Sequence, residues 1–253
     1  MTKPEAHSTG GPALAFWLET GNFAACEIAK LLGYDAVILD YEHGVISRSA
    51  SDRILQGCAG LGLKAYTRVA AVDRVAIQHA LDSGATGVII PQIASLADAE
   101  RACALAKYPP LGSRGLGYSR ISDYGPVDDA FVERQNRMTL CVPMIETPGA
   151  LAEVESIAAL PTVDALFIGP SDLSLTRGRG VYGQRDADFE DMAKIADAAD
   201  RAGKRIMLPA PSDATFGFAV SRGASLVTIS DDLTALQVGL ADAIRRLRAG
   251  PPA

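Results

Sequence analysis

The chain has little of what a nucleic-acid or membrane-surface binder needs. Basic residues are outnumbered, 24 Lys and Arg against 30 Asp and Glu, for a net charge of −6. That balance, with a pI near 5.1, argues against a basic groove for a polyanion or an anionic bilayer. Aromatic residues make up only 6%, too few for a base-stacking platform. No apolar run approaches the roughly 20 residues that span a bilayer. The opening residues, MTKPEAHSTGGP, contain no apolar stretch of a secretory signal. Cys26, Cys58, Cys103 and Cys141 are scattered without CxxC spacing, each in an apolar run. Neither a thiolate zinc site nor a redox pair is indicated, and small core residues are the expected role. The expectation is a cytoplasmic protein that handles small molecules, with neither nucleic acid nor membrane as a partner.

What the chain does have is a core. Hydrophobic residues are 48% of the 253, enough for one α/β barrel domain over 1–253 with a polar leader at 1–12. β-Branched and aliphatic runs predict strands at 13–19, 36–42, 64–69, 87–93, 139–146, 164–170, 205–210 and 226–230. Runs such as AVIL, GVII and ALFI are continuously apolar, as strands buried on both faces should be. Helical patterns lie between them at 22–32, 49–59, 72–83, 95–107, 149–158, 189–202, 212–222 and 231–248. Gly33, Gly60, Gly84, Gly203 and Gly223 are read as helix ends. Eight strands, each followed by a helix, make a (β/α)8 TIM barrel. The competing open sheet lacks its G-x-G-x-x-G after the first strand. The irregular segment at 108–137 is expected to be a lid or an interface element.

Chemistry in such barrels sits where the strands end. There stand Asp40-Tyr41-Glu42-His43, Arg68, Gln92, Glu146 and Gly169-Pro170-Ser171-Asp172. So many charged groups at one mouth are costly unless a ligand or metal offsets them. Glu146 and Asp172 form a pair of hard oxygen donors for a divalent ion, leaving open positions for substrate and water. Asp172 can instead cap the helix that starts at SDLS. His43 can act as acid or base near neutrality, because imidazole titrates there. Arg68 can neutralise an oxyanion or make an ordinary strand-end ion pair. His79 falls within a helix, in a solvated or packing role, and His7 in the leader. Lys64 and Lys204 precede strands, Lys30, Lys107 and Lys194 fall in helices, and Lys3 is in the leader. None ends a strand, which disfavours a Schiff-base lysine.

These residues sit in LDYEHG (39–44), TRV around Arg68, LDSGATGVIIPQI (81–93), YPPLGSRGLG (108–117), PMIET (143–147) and FIGPSDLS (167–174). As an ordered set the segments resemble the metal-dependent (class II) pyruvate aldolases of the 4-hydroxy-2-oxoheptanedioate aldolase type. The resemblance implies Mg²⁺, Mn²⁺ or Co²⁺ on Glu146 and Asp172, His43 as acid/base, and Arg68 stabilising an enolate oxygen. It further implies that Asp82 pairs with His43, and that Asp40 and Glu42 orient metal-bound water. The substrate carboxylate would rest on N–H groups at the helix start after Gly169, with Pro170 and Ser171 beside it. The activity implied is aldol cleavage and formation of 4-hydroxy-2-oxo acids, giving pyruvate or a related 2-oxo acid plus an aldehyde.

Met144 and Ser171 depart from the usual pattern, in which Gln and Ala are frequent, and bear on substrate choice. The family also exchanges its last helix between subunits and forms hexamers, trimers of dimers. Leu233, Leu236, Leu240, Ile244 and Leu247 give this chain an apolar stripe there. The alternative is a lyase acting on an acyl-CoA thioester such as citryl- or malyl-CoA, but those relatives carry D-x-E-D-A where His43-Gly44 stands here. A non-enzymatic barrel would be expected to have lost Arg68, Glu146 and Asp172, all of which are present.

Overall fold

Parallel strands cannot be joined by tight turns, so each is followed by a helical return, and eight such units close on themselves. The computed structural model describes residues 11–248. Its elements run β1 (Ala13–Leu18), α1 (Phe23–Leu31), β2 (Ala36–Asp40), α2 (Arg48–Leu61), β3 (Lys64–Arg68), α3 (Arg74–Asp82), β4 (Gly87–Ile90) and α4 (Leu96–Ala104). Then come α5 (Asp129–Met138), β5 (Leu140–Ile145), α6 (Pro148–Ala152), α7 (Val154–Ala158), β6 (Ala165–Ile168) and α8 (Pro170–Thr176). The chain ends with α9 (Asp186–Arg201), β7 (Arg205–Pro209), α10 (Asp213–Ser221), β8 (Leu226–Asp231) and α11 (Asp232–Arg248). The strand order is β1 to β8 in sequence, and β8 pairs with β1 to close the barrel. This is the expected (β/α)8 TIM barrel.

Side chains of a strand alternate between faces, and here the alternation sorts them into two cores. Ala13, Ala15, Ala36, Ile38, Tyr66, Ile89, Val142, Met144, Ala165 and Phe167 belong to the inner cluster that fills the barrel. Val37, Leu39, Val88, Ile90, Cys141, Ile145, Leu166 and Ile168 join the larger cluster between strands and helices. Continuing the inner parity to the strand ends reaches Trp17, Asp40, Arg68, Glu146 and Gly169. The mouth is therefore built by the same period-two rule that fills the interior. All four cysteines are buried and free, in the packing role expected of them.

Some boundaries differ from the sequence reading. Gly62, at φ 64°, is the left-handed cap of α2, whereas Gly60 lies within that helix. The stretch 149–158 is two short helices broken at Glu153. Residues 108–137 are not wholly irregular, since α5 forms there, capped by Asp128 accepting from the Phe131 N–H at 2.8 Å. Phe131 is its only buried residue, so the apolar stripe is too thin to read as a helix. Lys107 lies beyond α4, with its ammonium buried against Asp164 at 2.7 Å and the Thr139 carbonyl at 2.6 Å. Among the described residues, no helix is long and apolar enough to cross a membrane. Most of the 1–12 leader, with Lys3 and His7, lies outside the described residues.

Candidate active site

Arg68 is the most constrained side chain at the mouth. Its Nε donates to Asp40 Oδ1 at 3.0 Å, and Nη2 pairs with Asp40 Oδ2. Nη1 stands 3.3 Å from Glu42 Oε2, and the guanidinium lies 4.9 Å from the Trp17 ring centroid. A two-pronged grip on one carboxylate with an aromatic face beneath it holds a planar cation in one orientation. Asp40 also accepts the N–H groups of Glu42 at 3.0 Å and His43 at 3.1 Å. Asp40 thus aims Arg68 and shapes the turn carrying His43. Gly44 completes that turn, because a Cβ there would stand 2.3 Å from the Asp40 carbonyl and 2.8 Å from that of Glu19. His43 is exposed on this turn, next to Glu42.

Glu146 follows β5 and is 1% exposed. Its Oε1 accepts the backbone N–H of Gln92 at 2.6 Å. Burial pushes the Glu146 carboxyl up to about 7, and the negative charges of Asp172 and Glu42 add to this. The Gln92 N–H and Arg68 act in the opposite direction. Glu42 is raised as well, chiefly by burial, with Arg68 and His43 opposing and Asp40 and Asp172 adding. Gly169 is packed so closely that a Cβ would lie 2.7 Å from Glu146 Cβ, 3.0 Å from its Oε2 and 3.2 Å from Met144 Cγ. Met144 accordingly sits one inward position below Glu146, on the same side of the strand.

Asp172 lies in the first turn of α8 and its carboxylate makes no capping hydrogen bond. The sequence alternative of a helix cap is therefore not what this carboxylate does. The anion cradle expected here is narrower than the motif implied. Gly169 N–H is spent on the Ile145 carbonyl at 3.1 Å. Pro170 has no N–H, so only those of Ser171 and Asp172 remain free at this end. Ser171 itself is exposed.

A buried carboxylate in a field of other carboxylates favours a bound cation, and hard oxygen donors suit Mg²⁺, Mn²⁺ or Co²⁺. Among the described residues, no three or more His, Cys, Asp or Glu converge as a closed metal cage. Glu146 with Asp172 fits the open, two-carboxylate arrangement instead, in which substrate and water supply the other positions.

One expected contact is not made within the chain. Asp82 is the last residue of α3, which carries the chain away from the mouth, and it accepts from Arg114 Nη2 at 2.6 Å. His43 has no hydrogen bond to it among the described residues. The 108–137 segment, expected to be a lid or an interface element, packs against a neighbouring helix at its start. Its first part lies along α3, with the Ser113 carbonyl accepting from Arg74 at 2.7 Å and Gly115 pressed on Gln78. His79, half-buried on α3, has its Nε2 2.9 Å from Asp52 Oδ1. Sequence reasoning missed Trp17 and the backbone of Gln92. The inward parity of Ala13 and Ala15 would have flagged Trp17, whereas no sequence signal marks the left-handed turn at Gln92.

The chain and its fold have counterparts among known proteins. The chain is 37% identical over 197 residues to a 2-dehydro-3,6-dideoxy-6-sulfogluconate aldolase of Pseudomonas putida, covering 78% of this chain and 75% of that one. It is 30% identical over 243 residues to a hydroxypyruvate/pyruvate aldolase of Rhizorhabdus wittichii, covering 95% and 96%. A crystal structure of an HpcH/HpaI aldolase from Desulfitobacterium hafniense superposes with a TM-score of 0.87 at 33% identity, over 96% of this chain and 95% of that one. A family profile described as HpcH/HpaI aldolase/citrate lyase matches residues 14–215, and the chain belongs to that family.

Proposed function

We propose that this protein is a carbon–carbon lyase that cleaves and forms 4-hydroxy-2-oxo acids, with pyruvate or a related 2-oxo acid as donor and an aldehyde as acceptor. The observation that carries this reading is the buried Glu146, oriented by a backbone N–H and raised to about 7, within the field of Asp172 and Arg68. Glu146 and Asp172 would hold a divalent ion, which supplies Lewis acidity toward the carboxylate and ketone oxygens of the 2-oxo acid.

The chain's own groups account for the remaining chemistry. In cleavage, the 4-hydroxyl loses its proton to His43, the C3–C4 bond breaks, and the electron pair moves to the C2 oxygen as an enolate. Arg68, fixed by Asp40 and Trp17, offers a positive charge that needs no reorganisation as that oxygen gains charge. The proton then returns to C3, leaving pyruvate and an aldehyde. Acid/base catalysis of this kind is worth about 10²–10⁴-fold in rate. Lys64 starts a strand, Lys107 is buried against the carbonyl before β5, and Lys204 is bonded to the Val163 carbonyl at 2.6 Å. This placement favours a mechanism without a Schiff base. His43 in place of the acidic residue of acyl-CoA lyases favours the aldolase over that alternative.

The active form in this reading is a homo-oligomer, a hexamer arranged as a trimer of dimers with α11 exchanged between subunits. In support, α11 has no buried residue, and Leu236, Leu240, Ile244 and Leu247 are exposed on it. Ile28, Leu31 and Leu32 of the α1 region are exposed as well, beside a groove that Phe16, Ala25 and Leu236 line. Because α3 carries Asp82 away from its own mouth, a His43–Asp82 pair would join two copies. The test is pyruvate release from a panel of 4-hydroxy-2-oxo acids, before and after chelation and metal return. Release that requires Mg²⁺, Mn²⁺ or Co²⁺ supports the proposal, and no release from any member would overturn it.

A further inference from the structure

Gln92 adopts a backbone conformation that its side chain does not ask for. Its φ is 57°, in the left-handed region that non-glycine residues enter rarely and at a cost. Nothing in the Gln92 carboxamide repays that cost, since the side chain is exposed and makes no hydrogen bond among the described residues. The repayment lies in the backbone. The turn after β4 places the Gln92 N–H on Glu146 Oε1, the carboxylate that follows β5, at 2.6 Å. The flanks hold the turn in place. Pro91 and Ile93 are buried on either side of it, and the Ile93 carbonyl accepts from Thr147 Oγ1 at 2.7 Å. Gly149 lets the two segments meet, because a Cβ there would stand 2.0 Å from the Ala94 carbonyl.

We propose that Gln92 is a positioning residue that acts through its left-handed backbone N–H, locking Glu146 in the orientation that binds the divalent ion, with its side chain dispensable. This rests on the reading of Glu146 as a metal ligand. One carboxylate oxygen is committed to the N–H, so the other is presented to the mouth in a single rotamer. Groups that orient a ligand in this way typically set metal affinity by about 10–100-fold.

Mn²⁺ alone, titrated into the chelator-treated full-length protein and followed by calorimetry, tests the proposal without relying on turnover. Gln92→Gly and Gln92→Asn tolerate positive φ and should keep the wild-type dissociation constant within about threefold. Gln92→Val resists positive φ and should weaken Mn²⁺ binding by about 10–100-fold, while its melting temperature in chelator stays close to that of Gln92→Gly. Should Gln92→Val not fold, Gln92→Ala should show a smaller loss in the same direction. Equal weakening in the Gly and Val variants would overturn the proposal, because the side chain would then be the acting group. Unchanged affinity in both would overturn it as well. Glu146→Gln separates the two levels: if it binds Mn²⁺ like wild type, the metal-ligand reading fails, and if it loses binding, only the role of Gln92 is being judged.

Discussion

Replacing Glu146 by Gln should make the metal-free protein more stable at alkaline pH. The carboxyl is raised from 4.5 to about 7, mainly because it is buried. In the metal-free fold the proton is therefore held across a pH window in which the unfolded chain has lost it. The stability linked to that proton is fully present below pH 4.5 and is lost as pH rises through 7. The difference is worth about 3 kcal/mol at 1.36 kcal/mol per pH unit. The substituted carboxamide would keep the shape, accept the Gln92 N–H and carry no charge. At pH 8 in chelator the variant should exceed wild type by up to about 3 kcal/mol, or about 6–12 °C in melting temperature for a chain of this size. The two curves should converge near pH 4.5. Added Mn²⁺ should reverse the order at pH 8, raising wild type and leaving the variant unmoved. Thermal melts at pH 5, 6, 7 and 8, with chelator and with Mn²⁺, measure all of this. Parallel pH profiles for the two proteins in chelator would refute the assignment of Glu146 as a buried, cation-seeking carboxylate.

Other substitutions separate the roles at the mouth. Arg68→Ala should lower pyruvate C3-proton exchange by about 10²–10³-fold, the usual cost of one oxyanion donor, and near-normal exchange would remove Arg68 from that role. His43→Ala should lower cleavage by about 10²–10⁴-fold while calorimetric Mn²⁺ affinity persists. Mixed oligomers of His43→Ala and Asp82→Ala subunits should regain activity that neither variant has alone, and no recovery would separate Asp82 from the mouth. Met144→Gln should change the ratio of rates with pyruvate and hydroxypyruvate as donors, because a thioether offers only a weak acceptor where Gln offers an amide. An unchanged ratio reduces Met144 to packing.

Much of this was legible in the sequence, for definite reasons. Eight short apolar runs at regular spacing specify the barrel, and the rule that strand ends carry chemistry points directly to Asp40, Arg68, Glu146 and Asp172. Period-two alternation also orients them: Ile38 and Tyr66 face inward, so Asp40 and Arg68 do too. What escaped was set by contacts distant in sequence. The Gln92 N–H reaches Glu146 across 54 positions, and its positive φ leaves no trace in residue type. The grip of Asp40 on Arg68 crosses 28 positions, and within the chain Asp82 accepts from Arg114, 32 positions on. The α5 helix rests on one buried phenylalanine, too little pattern to be read.

The central claim is that a divalent ion on Glu146 and Asp172 permits enolisation of a 2-oxo acid beside Arg68. The most direct measurement follows deuterium entry into the pyruvate methyl group by NMR, with no aldehyde present, in chelator and after metal return. Exchange should stop in chelator and resume with Mg²⁺, Mn²⁺ or Co²⁺, and borohydride should trap no covalent adduct. Exchange that persists in chelator, with borohydride fixing pyruvate to a lysine, would contradict the account.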